Sequence, residues 1–192
     1  MKDFDLYPIL TASTVSNHGA IFPHLSEILV HPRVSALRLE EAAPLQDGQF
    51  EVLTRLLHQN NVALILSAPE AFNAASLPLT ESDGVHFAEL KTLKAGLPAL
   101  KPLKLQAGCF CKTLDDAMYA GEAGADYISL PAQALEAIGK WSAFAELPCV
   151  AEHPANVQEA REAVEKGADF ISFPLTGNES DLNWLRALTD NE

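Results

Sequence analysis

A ten-residue motif that occurs twice constrains the fold of this chain more than any other feature. Residues 122–131 read EAGADYISLP and residues 165–174 read EKGADFISFP, so the two copies match at seven of ten positions, 43 residues apart. A weaker copy lies another 43 residues upstream, where Asp83 falls in register with Asp126 and Asp169. One strand-plus-helix unit takes about half of this period, so the repeat predicts a closed barrel in which alternate strands are equivalent.

Short apolar runs alternate with helix-period segments along the whole chain, as expected for parallel strands that are buried on both faces. Between the strands, one expected helix lies around residues 69–77. Eight strands that alternate with helices in this way predict an α/β fold. We expect a compact (β/α)8 TIM barrel that forms one domain over residues 1–192. The predicted strands are residues 6–11, 36–40, 63–67, 84–87, 104–111, 127–130, 149–152 and 170–174.

Charge and hydropathy narrow the function classes. The formal charge is −13 and the pI is about 4.8, and nucleic acids and anionic membranes attract positive surfaces instead. No apolar run reaches the roughly 18–20 residues of a membrane span. Acidic residues stand at the N-terminus, where a signal peptide needs positive charge. We therefore expect a cytoplasmic protein that binds a small molecule, with no nucleic-acid or membrane partner; a homo-oligomer is possible.

One polar residue stands among apolar neighbours on each even-numbered strand. In the repeat register these are Arg38, His86, Ser129 and Ser172, and together they could form the floor of a ligand pocket inside the barrel. The alternative is that the serines bond to backbone and the histidine packs in the core. A buried guanidinium requires an anion, so we expect Arg38 to anchor an anionic or phosphorylated ligand and to pair with Glu40 when the pocket is empty.

The carboxyl ends of the strands carry further candidate groups. Glu152 and His153 end the seventh strand and could act as base and acid or as metal ligands. Lys112 ends the fifth strand and could position an anion or form an imine, and Ser67 ends the third strand as a candidate ligand contact. The alternatives are that Glu152 and His153 are an exposed loop pair and that Lys112 is an ordinary solvated lysine.

The segment after the eighth strand has the composition of an anion-binding loop. Gly177 and Asn178 precede the last helix, and backbone N–H groups at such a place hold phosphate in many barrels. The same two residues also suit an ordinary helix cap, so both interpretations remain open.

At this point the residues resemble a known family. Residues 6–11 (LYPILT), 36–40 (ALRLE), 83–87 (DGVHF), 124–128 (GADYI) and 167–171 (GADFI) follow the order found in thiamin phosphate synthase and its thiazole tautomerase relatives. The resemblance covers nearly the whole chain, and DGVH is its most specific piece. It implies a (β/α)8 barrel and a transferase of thiamin biosynthesis, which uses Mg²⁺ to join a pyrimidine pyrophosphate to a thiazole phosphate and releases pyrophosphate.

Several positions depart from that family. Arg38 matches, but Glu40 replaces a lysine, and Ser67 with Ala68 replaces the pair that supplies one magnesium carboxylate. The second magnesium carboxylate falls near Lys91, which leaves Glu40 and Glu89 as substitute metal ligands. The resemblance therefore implies a degenerate pyrophosphate and Mg²⁺ site, in which Mg²⁺ is possible but lacks its usual ligands.

Three hypotheses for function follow, and whether the chain is an enzyme stays open among them. The first is a thiamin-pathway transferase with a divergent site. The second is a different enzyme on the same barrel, such as an isomerase or lyase that acts on a small anionic substrate. The third is a non-catalytic relative that binds a thiamin-related ligand or a protein partner.

Overall fold

Eight parallel strands close into a barrel in the computed structural model, which describes residues 3–17, 21–41, 45 and 48–189. Each strand pairs with its neighbours in sequence, and the eighth pairs with the first. The predicted fold class, a (β/α)8 TIM barrel, is confirmed. The strands are β1 Asp5–Thr11, β2 Ala36–Glu40, β3 Ala63–Ser67, β4 Gly84–Phe87, β5 Gln106–Phe110, β6 Tyr127–Pro131, β7 Cys149–Glu152 and β8 Phe170–Pro174.

Helices surround the barrel and bury its outer face. Alternate strand residues such as Leu37 and Ile128 point outward and pack in one large apolar core beneath the helices. The helices of the described residues are α1 Ala12–Asn17, α2 Ile21–Leu29, α3 Gln49–Gln59, α4 Leu90–Leu100, α5 Leu114–Ala123, α6 Leu135–Phe144, α7 Val157–Lys166 and α8 Glu179–Thr189. None of these helices is long and apolar enough to cross a bilayer.

The sequence repeat has a structural cause at the amino ends of the even strands. Asp83, Asp126 and Asp169 each precede an even strand. Each carboxylate accepts the backbone N–H of the first or second residue of the preceding strand, at 2.8, 2.8 and 2.9 Å. Each repeated aspartate thus joins two strands at the amino end of the barrel.

The connection from β3 to β4 differs from the prediction. Instead of a helix over residues 69–77, the chain forms two short 3₁₀ turns, Ala74–Ser76 and Leu79–Glu81. The Asn73 side chain accepts the Ala75 N–H at 3.1 Å and caps a 3₁₀ turn, and Leu77 is extended, as the residue before a proline usually is. The expected helix after β3 is therefore wrong.

The interior of the barrel holds a second, smaller cluster. Tyr7, Ile65, Tyr127 and Val150 pack together there and line a cavity of about 150 Å³ near the amino ends of the strands. The polar residues expected on the even strands share this inward phase. They are nearly inaccessible, with relative exposures of 3% for Arg38, 5% for His86 and 0% for Ser129 and Ser172.

Candidate functional site

A cavity of about 310 Å³ opens at the carboxyl ends of the strands. We call it the mouth cavity, and this end of a (β/α)8 barrel is where catalytic residues lie in enzymes of the fold. Its lining comes mainly from β2, β3, β4 and β7 and the loops that follow them. The lining residues are Arg38, Glu40, Ser67, Ala68, His86, Ala88, Phe110, Glu152 and His153.

A buried ion pair crosses the floor of the mouth cavity. The two terminal nitrogens of Arg38 donate to the two carboxylate oxygens of Glu152 at 2.6 and 3.2 Å. Glu40 accepts a further bond from Arg38 at 3.2 Å, but its side chain is 36% exposed, whereas that of Glu152 is 3% exposed. The sequence identified only Glu40 as the counter-ion, because Glu152 is distant along the chain.

Two histidines flank the same carboxylate. Nε2 of His86 lies 3.2 Å from Oε1 of Glu152, and Nε2 of His153 lies 3.3 Å from Oε2. Both contacts are within ion-pair distance, and neither is aligned as a hydrogen bond. Burial alone would raise the pKa of Glu152, but the two histidines and Arg38 hold that pKa well below its usual range. Glu152 is therefore a carboxylate at neutral pH.

His153 is the member of this cluster that a ligand can reach. Its side chain is 61% exposed, and its contact with the Glu152 carboxylate raises the pKa of its imidazole. Its backbone has φ 53°, in the left-handed region that costs a side chain such as histidine of order 1 kcal/mol. The backbone N–H donates to the Ser172 hydroxyl at 3.1 Å, which holds this conformation.

His86 is held from below by two tyrosines. The Tyr127 hydroxyl lies 3.1 Å from Nδ1 of His86 and 2.8 Å from the Tyr7 hydroxyl. Burial and the nearby Arg38 charge lower the pKa of His86, so the ring is neutral. A neutral ring whose Nε2 faces a carboxylate carries its proton on Nε2. Tyr127 then donates to Nδ1, and Tyr7 donates to Tyr127.

The remaining predicted residues fall in three places. Ser67 lines the mouth cavity, while Ser129 lies below it, and its hydroxyl has no hydrogen-bond partner among the described residues. Lys112 and Glu89 line a neighbouring cavity of about 260 Å³. The structure therefore brings Arg38, His86, Glu152 and His153 together, and it separates Lys112 from them.

The residues present do not fit a magnesium site. Glu40 lies in the mouth cavity and Glu89 in the neighbouring cavity. Within the described ranges, no cluster of at least three His, Cys, Asp or Glu side chains has the arrangement of a metal site.

The loop after β8 is closed by the chain's own carboxylate. Asp181 accepts the backbone N–H groups of Thr176 and Gly177 at 3.0 and 2.9 Å, and the Thr176 hydroxyl at 2.7 Å. Asn178 directly precedes α8, and its carbonyl accepts the Asp181 N–H. Phosphate binding at Gly177 and Asn178 stays a prediction, but the Gly177 N–H is already used.

Sequence reasoning missed Tyr7, Tyr127 and Asp181. The inward phase of Tyr127 was visible in the repeat, where it stands two residues before Ser129. Asp181 occupies the third position of α8, where an acidic side chain commonly reaches back to the N-terminal N–H groups. Tyr7 carried no local signal, because its partner is distant in sequence.

Comparisons with known proteins agree with the fold. No family model and no curated protein matches the sequence. Among solved structures, thiamine phosphate pyrophosphorylase from Pyrococcus furiosus superimposes with a TM-score of 0.75 at 20% identity, covering 96% of this chain and 94% of that one. The tryptophan synthase α-subunit of the same organism superimposes with a TM-score of 0.75 at 11% identity, covering 98% of this chain and 99% of that one.

A third similar structure is N-acetylmannosamine-6-phosphate 2-epimerase from Clostridium perfringens. It gives a TM-score of 0.68 at 13% identity and covers 97% of this chain and 92% of that one. Identities this low show the shared barrel fold, and they leave the reaction to be argued from the site.

Proposed function

We propose that this chain is an enzyme that moves a proton on a small molecule, as an isomerase or a lyase does. His153 is the acid–base group, and Glu152 orients its ring and stabilises the imidazolium that forms. The observation that carries the proposal is the contact between an exposed histidine and a buried carboxylate at the mouth of the barrel.

The surrounding residues give this pair the properties that general acid–base catalysis needs. The contacts with His153, His86 and Arg38 keep Glu152 ionised, so the carboxylate faces the His153 ring without taking its proton. The mouth cavity beside His153 has room for a small substrate. A histidine whose pKa lies near the working pH can both take and return a proton.

The first step follows from this geometry. Neutral His153 removes a proton from a carbon of the substrate, and the electron pair moves into an adjacent unsaturated group. The imidazolium then returns the proton to a different atom in an isomerisation, or to a departing group in an elimination. Glu152 stays ionised throughout.

Proton exchange with solvent provides the test. A panel of small aldoses, ketones and amino ketones is incubated in D₂O with the protein, and ¹H NMR follows the loss of each exchangeable C–H signal. We expect exchange in at least one compound, lost in His153→Asn, since asparagine tolerates the left-handed backbone at this position. His58→Asn is the matched control, because His58 is also exposed and faces Asp83 at the opposite end of the barrel.

A thiamin-pathway transferase is the second candidate. It is supported by Arg38 in the family's strand-2 motif and by the structural similarity to thiamine phosphate pyrophosphorylase. One observation argues against this candidate. Glu40 and Glu89, the two substitute magnesium ligands, line different cavities, so they do not form the ligand set that the family's reaction needs.

A binding protein without turnover is the third candidate, and the variants separate it from the first. If Glu152→Gln changes the affinity for a ligand but no compound exchanges a proton with the wild-type protein, the acid–base proposal fails and the binding role remains.

A further inference from the structure

Three loops at the mouth of the barrel are closed in the same way. After β5, β7 and β8, an acidic residue at the third position of the next helix reaches back to the loop backbone. Asp116 accepts the N–H of Thr113 at 3.1 Å, and Glu159 accepts that of Ala155 at 2.9 Å. Asp181 closes the third loop, with two backbone N–H groups and one hydroxyl.

These contacts fill the positions at which a barrel of this kind would bind phosphate. Backbone N–H groups at helix N-termini attract anions, and the loops after the seventh and eighth strands are the usual phosphate site. Here Glu159 and Asp181 supply the negative charge themselves. A phosphate group would have to displace a carboxylate and would meet its repulsion.

The mouth cavity has two carboxylates, Glu40 and Glu152, and one permanent positive charge, that of Arg38. Arg38 is shared by Glu152 and Glu40, and His86 is neutral because burial and Arg38 lower its pKa. With His153 unprotonated, as a base must be, two carboxylates face one guanidinium. Glu40 is the less compensated carboxylate, because it makes one contact of 3.2 Å with Arg38, whereas Glu152 makes two.

We propose that the substrate of this site is a small, unphosphorylated molecule with a protonated nitrogen, and that Glu40 receives this nitrogen. The inference rests on the proposed function for the position of the reacting atoms, and it replaces the expectation of an anionic or phosphorylated ligand. A positive group beside the reacting carbon also acidifies its C–H bond, which assists proton removal by His153.

A matched set of probes tests the ligand class without turnover. Benzylamine, benzyl alcohol and benzyl phosphate share one ring and differ in charge, and each is small enough for a cavity of about 310 Å³. Binding to the wild-type protein is followed by ¹⁵N–¹H NMR. We expect benzylamine to give saturable shifts at residues 67, 68 and 153, and Glu40→Gln to weaken its affinity by about tenfold or more.

Three results would overturn this inference: benzyl phosphate binding as tightly as benzylamine, no saturable shift with benzylamine, or unchanged affinity in Glu40→Gln. Failure of the proposed function is distinguishable, since it would leave benzylamine bound while no compound exchanges a proton with solvent.

Inorganic phosphate tests the closed loop directly. The wild-type amides of Thr176 and Gly177 should not shift with phosphate, whereas Asp181→Ala should make them shift saturably. Glu179→Ala is the matched control, because it removes the same charge from an exposed position in the same helical turn. Saturable shifts of these two amides in the wild-type protein would contradict the inference even if Asp181→Ala does not fold.

Discussion

Glu152 keeps its charge in a place where burial alone would remove it. Its side chain is 3% exposed, and transfer of an unpaired carboxylate to such a place costs several kcal/mol. Arg38 supplies two hydrogen bonds, and two histidines lie on the other sides. The carboxylate therefore links the barrel floor to the exposed His153.

Replacing one member of the Arg38–Glu152 ion pair should destabilise the protein far more than replacing both. We expect Glu152→Gln to lower the free energy of unfolding by about 3 kcal/mol, because Arg38 is left buried without its main anion. The double variant Arg38→Met with Glu152→Met should recover most of that loss, since two apolar side chains need no partner. Urea denaturation measures both, and equal stability of the two variants would argue against a mutually neutralised pair.

The charge of Glu152 also gives stability a pH dependence. Its pKa is lower in the folded chain than the roughly 4.3 of an unfolded glutamate, so the stabilisation is present above that value. It is lost as the pH falls through the lower folded pKa. In the double Met variant, the acid limb of the stability curve should flatten.

Glu152 and Tyr127 together should determine which nitrogen of His86 carries the proton. We expect ¹⁵N NMR of the wild-type ring at about pH 7 to show a neutral imidazole protonated on Nε2, because Nε2 faces the Glu152 carboxylate and Nδ1 faces the Tyr127 hydroxyl. In Tyr127→Phe, Nδ1 loses its donor, so its ¹⁵N signal should shift while the proton stays on Nε2. Tyr7→Phe is the control, because the Tyr127 contact with His86 remains; a wild-type ring protonated on Nδ1 would refute the assignment.

At the scale of elements, the repeated aspartates hold the strands together at their amino ends. Asp126 accepts the Ala107 N–H from the neighbouring strand, although Asp126 itself is exposed. We expect Asp126→Ala to destabilise the protein by about 1 kcal/mol, the usual net contribution of such a bond. Asp126→Asn, which keeps an acceptor, should lose less. Thermal unfolding measures both, and Glu122→Ala on the exposed face of α5 controls for the charge change.

The sequence predicted the elements best where the pattern was local. Strands β2, β3, β4, β7 and β8 begin and end where the apolar runs do. β5 is shorter than predicted, since Lys104 follows a 3₁₀ turn and has φ 56°. The helix expected over residues 69–77 is absent because the Asn73 side chain caps a 3₁₀ turn within this segment and Leu77, before Pro78, is extended.

The candidate site was predictable only in part, for a physical reason. The two-residue period placed Arg38 and His86 inside the barrel, and both line the mouth cavity. The partner of Arg38 was not predictable, because Glu152 lies 114 residues away and meets it only when the barrel closes. Local reasoning therefore selected Glu40, the nearest acid in the chain.

At the scale of the whole molecule, the site depends on closure of the barrel. Arg38, His86 and Glu152 come from β2, β4 and β7, which are not adjacent strands. Inward side chains of a closed barrel meet across its axis, whereas in an open sheet these groups would lie far apart. The fold is shared with barrels of several activities, so the chemistry lies in these side chains.

We also expect the whole protein to lack the reaction of the thiamin phosphate synthase family. With a pyrimidine pyrophosphate, a thiazole phosphate and Mg²⁺, the purified protein should form thiamin phosphate no faster than the background reaction. The reason is that its candidate carboxylates, Glu40 and Glu89, lie in separate cavities. Turnover of order 1 s⁻¹ would support the transferase and make those two residues the ligands to test.

The central claim is that His153 and Glu152 act as one acid–base unit, and titration of the His153 ring by NMR tests it most directly. The wild-type pKa should lie above the ordinary value of about 6.5, because Glu152 stabilises the imidazolium. In Glu152→Gln it should fall to that value or below, since Arg38 is no longer neutralised. The same pKa in both proteins would contradict the account.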